Sequence, residues 1–157
     1  MKIQDLRLHK LQKGETIPFN LLLLADEEED AIRKYIYDAA LYTLYYKEQL
    51  DPIAIVALSR ASESEIEIKN IGVLESFRNM GIGSLLIDRV KEIAYKENYK
   101  EIIVGTADSG IKQIRFYERN GFVKYAIKKN YFIDNYSQPI FDDGVFLKDM
   151  VMLKMNL

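Results

Sequence analysis

The spacing of apolar residues changes along the chain and predicts a mixture of strands and helices. Within residues 65–73, Glu65, Glu67 and Lys69 alternate with Ile66 and Ile68, which is typical of a strand with one hydrated face. Between residues 82 and 97 the apolar side chains return every three or four positions, which predicts an amphipathic helix. The whole pattern predicts strands at 2–8, 38–47, 53–60, 65–73, 101–106, 122–132 and 151–156, and helices at 19–24, 26–37, 82–97 and 111–119.

Turn-forming residues separate these elements. Asp51-Pro52 and residues 62–64 join three consecutive strands into a meander, and Asn120-Gly121 is a suitable end for the last helix. The acidic run 26–30 falls in the first turn of a helix, where the helix dipole favours acids, although a cation-binding patch is the alternative. The connection 134–149 carries an Asp143-Gly144 turn signal, and its length is often a sign of function.

Composition narrows the class of protein. The 157 residues, 48% hydrophobic and 29% charged, predict a single domain spanning 1–157. The absence of cysteine excludes disulfides and a cysteine nucleophile, and with His9 as the sole histidine we expect no metal site. The net charge of −2 gives no reason to expect a nucleic-acid partner. Every apolar run is far shorter than the roughly 20 residues of a membrane span, so we expect a cytoplasmic protein without a membrane partner.

A glycine-containing turn carries the candidate chemistry. Residues 73–84 pass from a strand end to a helix start, and they include the pattern Arg78-x-x-Gly81-x-Gly83. Such a turn presents unpaired N–H groups at the positive end of a helix, where phosphate groups bind. A P-loop would have a lysine after Gly83, where this chain has Ser84. A dinucleotide-binding fingerprint would have a third glycine at position 86, where this chain has Leu86, so the turn matches neither motif. The alternatives are a purely structural turn and a plain surface arginine at position 78.

Two motifs together resemble one family. The turn at 78–83, preceded by residues 67–73, and the later run Arg115-Phe116-Tyr117-Glu118-Arg119-Asn120-Gly121-Phe122 are similar to the signatures of the GNAT superfamily of acyl-CoA-dependent N-acetyltransferases. The resemblance implies a single-domain α/β fold, with a twisted, mostly antiparallel sheet of about seven strands and about four helices. It also implies transfer of an acetyl group from acetyl-CoA to a primary amine, directly within a ternary complex. A non-catalytic acyl-CoA-binding or sensing domain of the same fold is the alternative.

The resemblance also implies residues that bind acetyl-CoA. The backbone of the turn would hold the pyrophosphate, and the end of the preceding strand would pair with the pantetheine arm. In that arrangement the Val73 N–H polarises the thioester carbonyl. The family often places an asparagine near the start of the later helix, where this chain has Ser109. The implied cofactor-binding residues are Ile71, Gly72, Val73, Arg78, Asn79, Met80, Gly81, Ile82, Gly83, Ser84, Ser109 and Tyr117.

Two residues are candidates for moving protons. Tyr117 occupies the position of a family tyrosine that protonates the departing thiolate, a task for which a phenol is an adequate acid. Without the family match, a core tyrosine on an amphipathic helix would explain Tyr117. The amine arrives mostly protonated, so a base must take its proton directly or through water. Glu67 lies where some members carry that base, although an exposed strand carboxylate fits it equally well.

The acceptor is expected to be an amine of a small molecule or a peptide. We expect its pocket against the early helices and the 134–149 connection, where carboxylates near aromatic rings suit a cation. A solvated hairpin arm, or a contact between two copies in a homodimer, fits the same connection. The residues concerned are Tyr131, Phe132, Asp134, Tyr136, Asp142 and Asp143.

Overall fold

A computed structural model describes all 157 residues. Seven strands form one sheet in the order β1-β2-β3-β4-β5-β9-β6, and β7 and β8 form a separate two-stranded hairpin. The strands are β1 Leu6–Lys10, β2 Ala40–Tyr46, β3 Ala54–Arg60, β4 Glu65–Val73, β5 Glu101–Ala107, β6 Val123–Lys128, β7 Phe141–Asp142, β8 Val145–Phe146 and β9 Met150–Asn156. The helices are α1 Phe19–Leu22, α2 Glu29–Arg33, α3 Ile82–Lys96, α4 Ile111–Arg119 and α5 Tyr131–Asp134.

The sheet is mostly antiparallel, as predicted. Leu8 pairs with Leu44 between β1 and β2, and Tyr42 pairs with Val56 between β2 and β3. On the other side of the strand order, Val104 of β5 pairs with Leu153 of β9. β6 also runs antiparallel to β9, with a shift of register at Tyr125. None of the helices is both long and apolar enough to cross a bilayer.

Two compact units make up the chain. The first contains Met1–Ser59 with Ile68–Val90, and the second contains Arg60–Glu67 with Lys91–Leu157. Apolar residues from α1, α2, β2 and β3 form a buried cluster in the first unit, namely Leu21, Leu22, Ile32, Ile36, Leu41, Ile55 and Ala57. In the second unit, the fully buried side chains include Ile102, Met152 and Leu153.

Two elements have the predicted bounds, and two helix ends have the expected chemistry. β4 covers 65–73 and its burial alternates residue by residue, whereas α4 covers 111–119. Asn98, with φ 67°, ends α3, and Tyr99 N there donates to Ala94 O. Gly121, with φ 95°, ends α4 in the same way. A left-handed residue after the last turn therefore stops both helices.

The first strand, the helix predicted at 26–37 and the strand predicted at 122–132 differ most from the structure. Residues Ile3–Asp5 form a 3-10 turn, so the first strand begins at Leu6 instead of residue 2. The helix predicted at 26–37 is reduced to α2, because Lys34 N and Tyr35 N bond three residues back and Tyr35 leaves the helical region with φ −123°. A second 3-10 turn, Ile36–Asp38, follows.

The strand predicted at 122–132 was also too long. β6 ends at Lys128 because Asn130 adopts a left-handed φ of 57°, which a strand cannot contain. The Asn130 N–H donates to Asp149 Oδ1 at 2.9 Å, and this bond fixes the turn. The chain then forms α5, a fifth helix that the apolar pattern did not predict.

Candidate active site

The turn between β4 and α3 is an open array of backbone donors. Residues Glu75–Phe77 form a 3-10 turn, Asn79 and Gly81 take left-handed φ values of 62° and 81°, and α3 starts at Ile82. None of the amides from Asn79 to Ser84 donates to another backbone group. These amides stand at the positive end of a 15-residue helix. The turn therefore has the geometry that binds an anion.

Space around Gly81 is also open. A Cβ atom built on Gly81 would meet no heavy atom within 4 Å, and residues 78–81 are exposed. Met80 is 54% exposed, so its side chain does not cover the turn. The Ile82 side chain is buried, which leaves only its backbone for a ligand. No packed side chain blocks this corner of the first unit.

Arg78 links the turn to the end of β4. Its Nε donates to Val73 O at 3.2 Å, while the side chain stays exposed. The guanidinium thus lies beside the strand end and the exposed amides at once. That Arg78 adds positive charge to the turn stays a prediction.

Gly72 and Asn70, on the buried face of β4, lie against the end of α1. A Cβ on Gly72 would lie 2.5 Å from Leu21 O, so only glycine fits without moving backbone. Asn70 Nδ2 donates to Leu22 O at 2.9 Å and to Tyr35 Oη at 3.1 Å. Asn70 is not among the residues predicted for the site, although an asparagine at a position where the alternation of β4 requires an apolar residue is a signal in the sequence.

Tyr117 lies in the second unit and is buried. Its side chain is 8% exposed, and its ring is in edge contact with Phe116 at 5.1 Å and with Phe122 at 5.5 Å between centroids. Burial raises the pKa of the Tyr117 phenol. The hydroxyl therefore keeps its proton throughout the physiological range, which is the state that a proton donor needs.

Glu67 is half-buried on the hydrated face of β4, the face that it shares with Glu65. The carboxylates of Glu65, Glu67 and Glu101 add to burial in raising the pKa of the Tyr125 phenol, so Glu67 lies near that ring. Lys154 Nζ lies 5.2 Å from the centre of the same ring, so both charges occur in this region of the second unit. A carboxylate there is chemically able to accept a proton.

Ser109 and the 134–149 connection complete the candidate residues. Ser109 is exposed in the turn ahead of α4, where its carbonyl accepts from Ile111 N at 3.0 Å. Asp143, with φ 50°, and Gly144, with φ 78°, form the tip of the β7–β8 hairpin, as their turn signal predicted. Tyr136 stacks on Phe132 at 5.5 Å, while Asp142 and Asp143 are exposed.

The family model described as the acetyltransferase (GNAT) family matches residues 8–122. The chain belongs to the GNAT acetyltransferase family. It is therefore an enzyme of the acetyltransferase class, and both motifs that suggested the family lie within the matched residues. An uncharacterised N-acetyltransferase of Bacillus subtilis, YvbK, is 32% identical over 157 residues and covers 100% of both chains.

Solved GNAT structures have the same fold. The chain superimposes with a TM-score of 0.91 on an acetyltransferase from Elizabethkingia anophelis crystallised with acetyl-CoA; the two are 37% identical, over 98% of this chain and 99% of that one. A Bacillus subtilis acetyltransferase in complex with CoA gives a TM-score of 0.85 at 31% identity, over 97% and 99% of the two chains. The predicted α/β fold and GNAT membership are confirmed.

Proposed function

We propose that this GNAT protein transfers the acetyl group of acetyl-CoA to a primary amine. The observation that carries the proposal is the row of amides at 79–84, none of which donates to another backbone group and of which residues 79–81 are exposed, because it matches the chemistry of a pyrophosphate. Two relatives were crystallised with acetyl-CoA and with CoA, which supports the same donor here. We also propose that residues 1–157 make up one acetyltransferase domain, since these relatives align along nearly their whole length.

The residues of the first unit would bind the donor. The amides of 79–84 and the Arg78 guanidinium would hold the two phosphates, while Ile71, Gly72 and Val73 pair with the pantetheine arm. The Val73 N–H would then donate to the thioester carbonyl, where negative charge develops as the amine attacks. Ser109, in the second unit, is proposed to contact the pantetheine. The residues fit this ligand because the turn is open and positively polarised.

Proton transfer is assigned to Tyr117 and Glu67. The amine must lose a proton before it attacks, and Glu67, directly or through water, would accept it. The amine nitrogen then bonds to the acetyl carbon, the carbon–sulfur bond breaks, and Tyr117 would give its phenolic proton to the departing thiolate. The nitrogen loses its second proton as the amide forms, and this proton would restore the Tyr117 phenol, directly or through water. Burial raises the pKa of Tyr117, so the phenol carries its proton before transfer. The chain has no cysteine, so the acetyl group would pass directly to the amine without a cysteine acyl-enzyme.

The acceptor class follows from charge. Asp134, Asp142 and Asp143 are exposed on the 134–149 connection, close in sequence to the rings of Tyr131 and Tyr136. Carboxylates beside aromatic rings favour an ammonium group, which supports a cationic acceptor, either a small molecule or a peptide. The homodimer contact considered for the same connection stays a prediction.

An acetyl-CoA consumption assay across amines tests the proposal. We expect release of free CoA thiol with at least one of a polyamine, an amino acid, an aminoglycoside, a peptide N-terminus and a protein lysine.

Tyr117→Phe should lower this rate about a hundredfold or more while acetyl-CoA still binds, and Tyr95→Phe, which changes an exposed tyrosine, should not lower it. Glu67→Gln should lower the rate about tenfold or more, and Glu65→Gln on the same face should have little effect. Normal turnover by Tyr117→Phe would overturn the assignment of the acid.

A further inference from the structure

Asn70 is an unusual residue for the buried face of β4. It is 5% exposed and shares that face with Ile66, Ile68 and Gly72. Both amide protons are used, one by Leu22 O and one by Tyr35 Oη, so the orientation of the amide is fixed. Its Oδ1 is buried and accepts no hydrogen bond. A buried acceptor without a donor costs folding free energy.

Stability does not account for this amide. Leu22 O also accepts from Ala25 N at 3.3 Å and Asp26 N at 3.1 Å, so it would stay bonded without Asn70. Tyr35 Oη likewise keeps its bond to Asp26 Oδ2 at 3.3 Å. A leucine has nearly the shape of asparagine and would bring no orphaned oxygen. Replacing Asn70 by leucine would therefore leave no buried group newly unpaired.

The location of the contact suggests that role. Two successive carbonyls at the end of α1, Leu21 O and Leu22 O, meet two successive inward residues of β4, Gly72 and Asn70. The Leu21 carbonyl leaves no room for a side chain at position 72, and the Asn70 amide donates a hydrogen bond to Leu22 O. The end of α1 is thus fixed against β4 directly before Val73.

We propose that Asn70, together with Gly72, is a positioning residue for the reaction. Resting on the function proposed above, the inference is that this contact sets the β4 backbone so that the Val73 N–H points at the thioester carbonyl. Asn70 itself does not touch the substrate. Loss of the contact between Asn70 and the end of α1 would leave binding of the pyrophosphate unchanged. It would turn the Val73 N–H, which polarises the thioester carbonyl, away from that carbonyl. Displacements of about 1 Å have large effects on such donors.

The infrared carbonyl band of acetyl-CoA labelled with carbon-13 at the thioester carbonyl tests this directly, and it requires no acceptor. In the wild-type protein we expect the band to move to lower frequency on binding, because the carbonyl accepts a hydrogen bond. Asn70→Leu should lose at least half of that shift, with the Kd for acetyl-CoA within threefold of wild type and an unchanged or higher Tm. Thr43→Val is the matched control, because Thr43 is the other buried polar side chain and bonds His9 O instead.

The outcomes separate this inference from the proposed function. Failure of the wild-type protein to bind acetyl-CoA, or to shift its carbonyl band, would overturn the proposed function. A full shift in Asn70→Leu would overturn only the positioning role. Loss of the shift together with a Tm several degrees lower would make Asn70 a structural residue. Gly72→Ala, which must displace Leu21 O, is the second variant if Asn70→Leu does not fold, and it should lose the shift as well.

Discussion

At the residue scale, the proposed binding of the donor depends on the backbone conformation of Gly81. Its φ of 81° lies in the left-handed region, which side chains with a Cβ disfavour, although the space beside it is empty. The preference for glycine at position 81 therefore comes from its backbone conformation and not from a lack of space for a side chain. Asn79, at φ 62°, meets a similar requirement with a residue that tolerates this region.

Gly14 provides a matched control for Gly81. It has φ 94°, and a Cβ added to it would also meet nothing within 4 Å, but it lies far along the chain from the turn. We expect Gly81→Ala and Gly14→Ala each to cost about 1–2 kcal/mol of unfolding free energy. Only Gly81→Ala should also weaken acetyl-CoA binding, severalfold in Kd by calorimetry, because strain there reorients the amides. Equal affinities in the two variants would show that the turn does not bind the donor.

Tyr117 makes stability depend on alkaline pH. Its pKa is raised above the ordinary value of 10.0 in the folded chain, so on unfolding at higher pH the phenol releases its proton. The stabilisation is complete below about pH 10 and falls above it, by about 1.4 kcal/mol for each pH unit. Denaturant unfolding at pH 8 and pH 11 should therefore show a smaller loss in Tyr117→Phe than in wild type. The same loss in both proteins would mean that the phenol is not desolvated.

At the element scale, two glycines in strands differ in what a side chain would meet. A Cβ on Gly72 would meet the Leu21 backbone oxygen, whereas a Cβ on Gly105 of β5 would meet the thioethers of Met150 and Met152. Methionine side chains can turn aside, but a helix carbonyl cannot. We expect Gly72→Ala to cost about 1–3 kcal/mol and Gly105→Ala to stay within about 1 kcal/mol of wild type. Thermal unfolding would contradict this if Gly105→Ala were the less stable variant.

The same scale shows what the sequence could predict. β4 and α4 were predicted with correct bounds because their burial follows a clean period of two or of 3.6 residues. α2 and the end of β6 were not, because their bounds depend on particular bonds, such as that of Asn130 N to Asp149 Oδ1, 19 residues away. A bond such as the one from Asn130 N to Asp149 Oδ1 leaves no periodic signal in the sequence of apolar and polar residues. For the same reason, the turn at 78–83 was visible in the sequence but the Asn70 contact with α1 was not.

At the scale of the whole molecule, GNAT membership and fold are established, while the roles of individual residues are proposals. The first unit holds the open turn, Arg78 and the end of β4, and the second holds Tyr117, Glu67 and Ser109. His, Cys, Asp and Glu side chains form no group of three or more that could hold a metal ion. The proposed chemistry assigns the proton transfers to Glu67 and Tyr117, and binding of the donor phosphates to backbone amides and Arg78.

Backbone amide chemical shifts during titration with acetyl-CoA test the central claim most directly. We expect the largest changes on the amides of Asn79 to Ser84, including Gly81 and Gly83, while the amide shifts of Gly14 and Gly144 stay constant. Saturation of the protein by acetyl-CoA with the 79–84 amides unmoved would contradict it.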